Sequence, residues 1–258
     1  MIPVMATDYF IEALDRYRVT RAAELGCAPE HFDDHSLVIV ERPAGAHEPL
    51  ALIAVTFGTG TVVSVVPQYL DWVKAHAPAM HYRVMFPPTL LAPLVEEAKS
   101  RGESLAYRSP NLSFLPGSDP VAISVPPGFA GRRVDRVFHD LHVDSNEFDN
   151  ALGEAGHEYV ASIWKFGFVL FAGDSPAAVA GAYDDGQGML EIGVDVARPY
   201  RGLGLAPVVV TNLARLIADE GSVATYYCGP TNIRSHRNAL TCGFVPVASA
   251  VRVAAPGM

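Results

Sequence analysis

Apolar residues recur along the chain in two periods, and each change of period marks an element boundary. Leu14, Tyr17, Val19, Ala22 and Leu25 fall at helical spacing after a candidate cap at Thr7-Asp8, and Gly26 suits a helix-ending site, so the chain opens with a helix. Three short runs rich in β-branched residues, 36–40, 50–56 and 61–66, are separated by Pro, Gly and His and read as strands. Helices follow over 68–75 and 89–101, the second just after Pro87-Pro88, where proline suits a first turn. Residues 109–131 gather Pro110, Pro116, Pro120, Pro126 and Pro127 with Ser and Gly, the composition of a connecting segment. This places a boundary between an N-terminal region, 1–117, and a C-terminal domain, 118–258. Beyond it Asp144-Ser-Asn-Glu147 spells a capping box for a helix through Leu152. Strands are predicted over 166–172, 177–183 and 190–196, with Asp184-Asp-Gly186 as a hairpin turn. After Val196 the period lengthens: Leu205, Val209, Leu213, Leu216 and Ile217 form one helical stripe, ended by Gly221. A strand over 223–228, a short helix over 233–242 stopped by Gly243 and a last strand over 244–253 complete the pattern. The expected fold class is α/β (α+β): a mixed, mostly antiparallel sheet flanked by helices, with a smaller α/β region before it.

Composition narrows the function classes. Half of the 258 residues are hydrophobic and 18% are charged, which excludes a mainly disordered chain. Nineteen Lys+Arg against 28 Asp+Glu give a formal charge of −9, which argues against nucleic acid as the main ligand and favours a cationic acceptor. Lysine occurs only at Lys74, Lys99 and Lys165, so no polybasic run is available for a membrane surface. Cys27, Cys228 and Cys242 are an odd, scattered set that suits neither a disulfide framework nor zinc knuckles and points to a reducing compartment. No basic leader precedes an apolar stretch and no apolar run approaches a membrane span, so a cytoplasmic, soluble protein is expected, with a homodimer allowed. No metal spacing occurs among the nine histidines, His236 included, and no metal is expected.

The segment richest in chemistry is 191–206, a strand that runs into a glycine-rich turn and opens an amphipathic helix. Gly202 and Gly204 let the backbone turn tightly and approach a ligand, while the new helix presents unpaired N–H groups. Arg198 and Arg201 add positive charge at its mouth, and together these make a cradle for a phosphate or diphosphate. A dinucleotide fingerprint would need glycine where this chain has Pro207, so a nucleotide-dependent oxidoreductase is the weaker reading.

Arg201-Gly-Leu-Gly-Leu-Ala206 resembles the Arg/Gln-x-x-Gly-x-Gly/Ala signature of the GNAT superfamily of acyl-CoA-dependent N-acyltransferases. A second block, Asn232-Ile-Arg-Ser235 followed by Cys242-Gly-Phe244, resembles the asparagine, short helix and Gly-Phe that close that fold, with an interval of eleven from Asn232 to Gly243. The resemblance covers 118–258, and the N-terminal third is expected to be a diverged half-copy of the same fold. It implies acetyl-CoA as co-substrate and a small-molecule or peptide amine as acceptor. By the same resemblance, the strand end Val194, Asp195 and Val196 would hold the pantetheine arm and the Val196 N–H would polarise the thioester carbonyl. Arg201, Gly202, Leu203, Gly204, Leu205 and Ala206 would hold the diphosphate, with Asn232 and Ser235 approaching from the other side. Asn232 equally suits a plain helix cap. Glu191 is the candidate general base, with Asp195 as the alternative if the register shifts. The tyrosine that often protonates the leaving thiolate is replaced by Ala239, which keeps open a catalytically silent acyl-CoA-binding sensor or scaffold. One ring of Tyr226-Tyr227 should face the acceptor pocket and the other the core.

Overall fold

The computed structural model describes residues 7–45, 50–77, 88–154, 156, 158–184 and 188–254. They fall into two compact units. The first comprises Met1–Ala13, Phe114–Tyr227 and Asn232–Val245, and the second Leu14–Ser113, Cys228–Thr231 and Pro246–Met258. The main division thus lies close to the expected 117/118 boundary, but each unit also takes a piece of chain from the other's side of it.

The second unit is built on strands β1 (Leu37–Glu41), β2 (Leu50–Thr56) and β3 (Thr61–Val65), with the end of the chain's last strand alongside, in the order β1-β3-β2-last. β1 runs parallel to β3, and β2 antiparallel to β3 and to residues Ser249–Ala254. β2 and β3 are buried at nearly every position, which is why they read as continuous apolar runs rather than as alternation. α1 (Asp8–Leu25) contributes Leu14 onward, and α2 (Pro67–His76) and α3 (Pro88–Ser100) complete the unit. Leu52, Ala54, Val63 and Val65 pack with Tyr69, Val73 and Leu94 in one cluster.

The first unit holds the strands β5 (Ala130–Val134), β6 (Trp164–Ala172), β7 (Ser175–Asp184), β8 (Met189–Val196) and β9 (Val223–Cys228, through Tyr227), in the spatial order β9-β8-β7-β6-β5. Pairing is antiparallel from β5 to β8 and parallel between β8 and β9, so the sheet is mixed and mostly antiparallel. It is flanked by α4 (Arg136–His142), α5 (Asp149–Leu152), α6 (Glu158–Ile163), α7 (Leu205–Asp219) and α8 (Ile233–Thr241). Most of the predicted stripe of α7 is its buried face, with Leu205, Val209, Leu213 and Ile217 at most 2% exposed and Leu216 half-buried. Phe138, Phe148, Leu152, Trp164 and Phe171 form a core cluster with Val179 and Tyr183.

The structure corrects the sequence pattern in three places. The segment 109–131 is not all connection, because β4 (Ala106–Pro116) occupies its start, with Pro110 inside the strand, and β5 begins at Ala130. β5 reads Ala-Gly-Arg-Arg-Val and is exposed at all but its last residue, so it carried no apolar alternation to detect. The capping box at 144–147 does not start a helix: Ser145 Oγ accepts from the Glu147 N–H at 3.4 Å, within a tight turn that ends at Asn146 in the left-handed region. α5 starts only at Asp149, while α4, capped by the Asp135 carboxylate on the Val137 N–H at 3.0 Å, and α6 were not foreseen. The proposed hairpin turn at Asp185-Gly186 lies outside the described residues. Among those residues, no helix is long and apolar enough to cross a membrane, and no group of three His, Cys, Asp or Glu side chains could hold a metal ion.

Candidate functional site

The site begins with a break in pairing. β7 and β8 match from Asp184↔Leu190 to Ala178↔Val196 without a shift of register. The Ala197 N–H bonds the Ala177 carbonyl at 2.9 Å, which fixes the phase of the ladder. Residues 191, 193 and 195 therefore exchange hydrogen bonds with β7, and Ile192, Val194 and Val196 aim their N–H and C=O groups the other way. β9 is the neighbour on that side, but it pairs only as far as Glu191↔Thr225. Beyond the Ile192 N–H, which closes the last bridge to β9, the backbone up to Val196 thus faces an opening between two strands of one sheet. A cavity of about 990 Å³ fills this opening, at the upper end of the size roughly typical of cofactor pockets.

The floor of the cleft is the glycine turn. A 3₁₀ turn, Arg198–Tyr200, leads into Arg201, and Gly202 and Gly204 then take φ of 84° and 73°, the left-handed region open to glycine. A β-carbon on either would meet nothing within 4 Å, so both glycines border open space. Gly204 is the N-cap of α7 and has no side chain to cap it, so the helix's first amides are left for a ligand or solvent. Pro207 takes the third helical position, where its missing N–H breaks no helical hydrogen bond. Arg201 Nε donates to the Val196 carbonyl at 3.0 Å, which ties the turn to the open strand. Leu203 points outward, 59% exposed, and takes no part in the cleft lining.

The far wall is α8. Asn232 caps this helix, its Oδ1 accepting from the Ser235 N–H at 3.2 Å, and both residues line the cleft. Ser235 Oγ and the Tyr226 hydroxyl lie 2.7 Å apart, and Asn238 Nδ2 donates to the same hydroxyl at 3.4 Å. The Tyr226 ring is 2% exposed and tilted against Phe244, Tyr227 is half-buried, and both border the cleft, so the two rings do not divide between pocket and core as expected. Ala239 is fully buried.

The carboxylates divide sharply. Glu191 is exposed, opposite Tyr183 on the neighbouring strand, and lines the cleft. Asp195 is committed elsewhere: it accepts from the Asn150 N–H at 2.7 Å, Asn150 Nδ2 at 2.8 Å and the Ala151 N–H at 3.1 Å. Burial raises its pKa above the ordinary carboxylate range, and these donors pull it back. The bonds hold the start of α5 against β8, a contact so close that a β-carbon on Gly193 would lie 1.7 Å from the Asn150 carbonyl. Tyr183 donates to that same carbonyl at 3.2 Å, and burial, then Glu191 and Asp195, push its phenol upward. Nothing in the sequence pattern marks Asn150 and Tyr183, because Asn150 meets Tyr183 and Asp195 across 33 and 45 residues of chain. Arg234 and Arg237 also line the cleft, and their spacing with Asn238 and Thr241 marks one helical face, a signal the sequence did contain.

The remaining candidates stand apart from this chemistry. Burial pushes the Cys242 thiol up to about 11, and its Sγ rests 3.8 Å from the Pro207 carbonyl, so it is no thiolate at neutral pH. His236 packs edge-on against Phe114, with ring centroids 5.2 Å apart.

No family model matches the sequence, and no curated protein matches it. Solved structures with similar folds include a GCN5-related N-acetyltransferase-like protein from Streptococcus suis, 18% identical over 64% of this chain and 68% of its own, with a TM-score of 0.46. A GCN5-related N-acetyltransferase from Kribbella flavida is 21% identical over 66% of this chain and 65% of its own, with a TM-score of 0.46. An acetyltransferase of the GNAT family from Colwellia psychrerythraea is 13% identical over 93% of this chain and 97% of its own, with a TM-score of 0.49.

Proposed function

We propose that the protein is an acyl-CoA-dependent N-acyltransferase that passes an acetyl group from acetyl-CoA to a primary amine of a small molecule or peptide, by direct attack in a ternary complex. The observation that carries this reading is the parting of β8 from β9 beyond Glu191, at the mouth of a glycine turn with uncapped helix amides. A slim, amide-bearing arm ending in a diphosphate matches both parts. The open N–H and C=O groups of Val194 and the N–H of Val196 suit the arm, and the amides of the 202–206 turn with Arg201 suit the diphosphate. Asn232 and Ser235 would approach the arm from α8.

In the reaction the amine nitrogen forms a bond to the thioester carbonyl carbon, and the carbon–sulfur bond then breaks to release the thiolate. Glu191 would take the proton from the attacking amine, directly or through water, and the Val196 N–H would face the developing oxyanion. With Ala239 buried where a tyrosine often stands, the thiolate leaves as such or is protonated by water. A silent acyl-CoA-binding module is the competing reading.

Acetyl-CoA thioester loss, followed over polyamines, aminoglycosides, amino acids and peptide N-termini, decides between the two. An enzyme gives turnover with at least one acceptor, and Glu191→Gln should lower kcat roughly a hundredfold or more. Binding with no turnover on any acceptor favours the silent module. An unchanged rate in Glu191→Gln removes that residue from the mechanism, and failure of coenzyme A to bind overturns the reading as a whole.

A further inference from the structure

The arginines of the first unit differ in their partners: Arg201 holds a backbone carbonyl and Arg132 lies over the Phe171 ring. Arg133 pairs with Glu220, Arg136 with Asp140, and Arg215 with both Asp119 and Asp219. Arg234 and Arg237 are exposed on α8, line the cleft and have no carboxylate partner among the described residues. In a chain with 28 acidic residues against 19 basic ones, two such cations side by side at a cavity concentrate positive charge there.

Their geometry is specific. Residues three apart on a helix lie about 5–6 Å apart at their β-carbons, so two guanidinium forks stand together on the cleft face. Left alone, two like charges at this spacing weaken a helix, and an anion shared between them turns repulsion into attraction. The diphosphate cradle does not need them, because the amides of the turn at 202–206 and Arg201 answer it. We propose that Arg234 and Arg237 form a second anion subsite, one that takes a phosphate monoester carried by the same ligand. Resting on the acyl-CoA reading above, this assigns them the third phosphate of coenzyme A, on its ribose, and makes them the residues that select the phosphorylated cofactor over its dephosphorylated form. A phosphomonoester carries nearly two negative charges at neutral pH and three acceptor oxygens, enough for both forks.

Calorimetric titration of the full chain with coenzyme A and with 3′-dephospho-coenzyme A tests this. The intact protein should bind coenzyme A about tenfold or more tightly than the dephosphorylated form, and added salt should narrow the gap. In Arg234→Ala/Arg237→Ala the ratio should fall to about one while the affinity for the dephosphorylated form stays in place. Arg234→Lys/Arg237→Lys should retain part of the preference. If the double alanine variant fails to fold, Arg234→Gln and Arg237→Gln taken singly must each reduce the ratio. Equal affinities in the intact protein, or a preference that survives in folded variants, overturn the subsite and leave the acyl-CoA reading standing. Failure of both ligands to bind overturns the two together.

Discussion

β2 and β8 are strands of similar length with opposite fates. β2 is bonded to β3 on one side and to residues Ser249–Ala254 on the other, and no residue from Leu50 to Val55 is more than 3% exposed. β8 is fully paired with β7 but parts from β9 beyond Glu191, and from Gly193 to Val196 it is only half-buried. Their sequences register the difference: Leu-Ala-Leu-Ile-Ala-Val-Thr is apolar almost throughout, while Met-Leu-Glu-Ile-Gly-Val-Asp-Val sets a charge, a glycine and a second charge at alternate positions. A strand filled on both edges answers only to packing. A strand left open on one edge keeps its backbone for something else, and its side chains must hold the opening in shape.

The contrast can be tested by substitution. Leu52→Ala should cost about 2–5 kcal/mol of stability in urea unfolding, because a fully buried side chain leaves a cavity, and the folded variant should bind coenzyme A as before. Gly193→Ala should cost about 1–3 kcal/mol and also weaken the ligand, since a β-carbon 1.7 Å from the Asn150 carbonyl must push α5 or β8 aside. An unchanged affinity in that variant would mean that the opening tolerates movement of β8. Gly204→Ala should cost only about 1 kcal/mol, the strain of φ 73° in a residue with a side chain. Its effect on coenzyme A binding should exceed its effect on melting, and the reverse would demote the turn to a plain connection.

Much of this was legible in the sequence where one element imposes one period. The stripe of α7, the strands β6 to β9 and the stop at Gly221 fall within a residue or two of their expected places. The glycine turn was legible too, because left-handed backbone leaves few residue choices. The parting of β8 from β9 has no signal in the period of its residues, since pairing depends on a strand distant in the chain, and only the resemblance pointed to 194–196 as the ligand-holding strand end. Nor was the role of Asp195 legible, since its partners Asn150 and Ala151 stand 45 and 44 residues away. β4 was hidden by prolines that a strand can accept where no ladder donor is needed, and β5 by its arginines. Asn232 shows the limit of motif reading, because its capping bond is what its residue type alone would suggest.

The unzipped seam beyond Glu191 also bears on how the protein survives synthesis and storage. Unpaired strand amides at a sheet's rim invite other chains to add on and seed fibres. Here they are recessed between β7 and β9, with α8 forming one wall, so a second molecule finds no flat border to lie along. The chain can keep reactive backbone permanently on offer to a thin guest without becoming a template for its own aggregation.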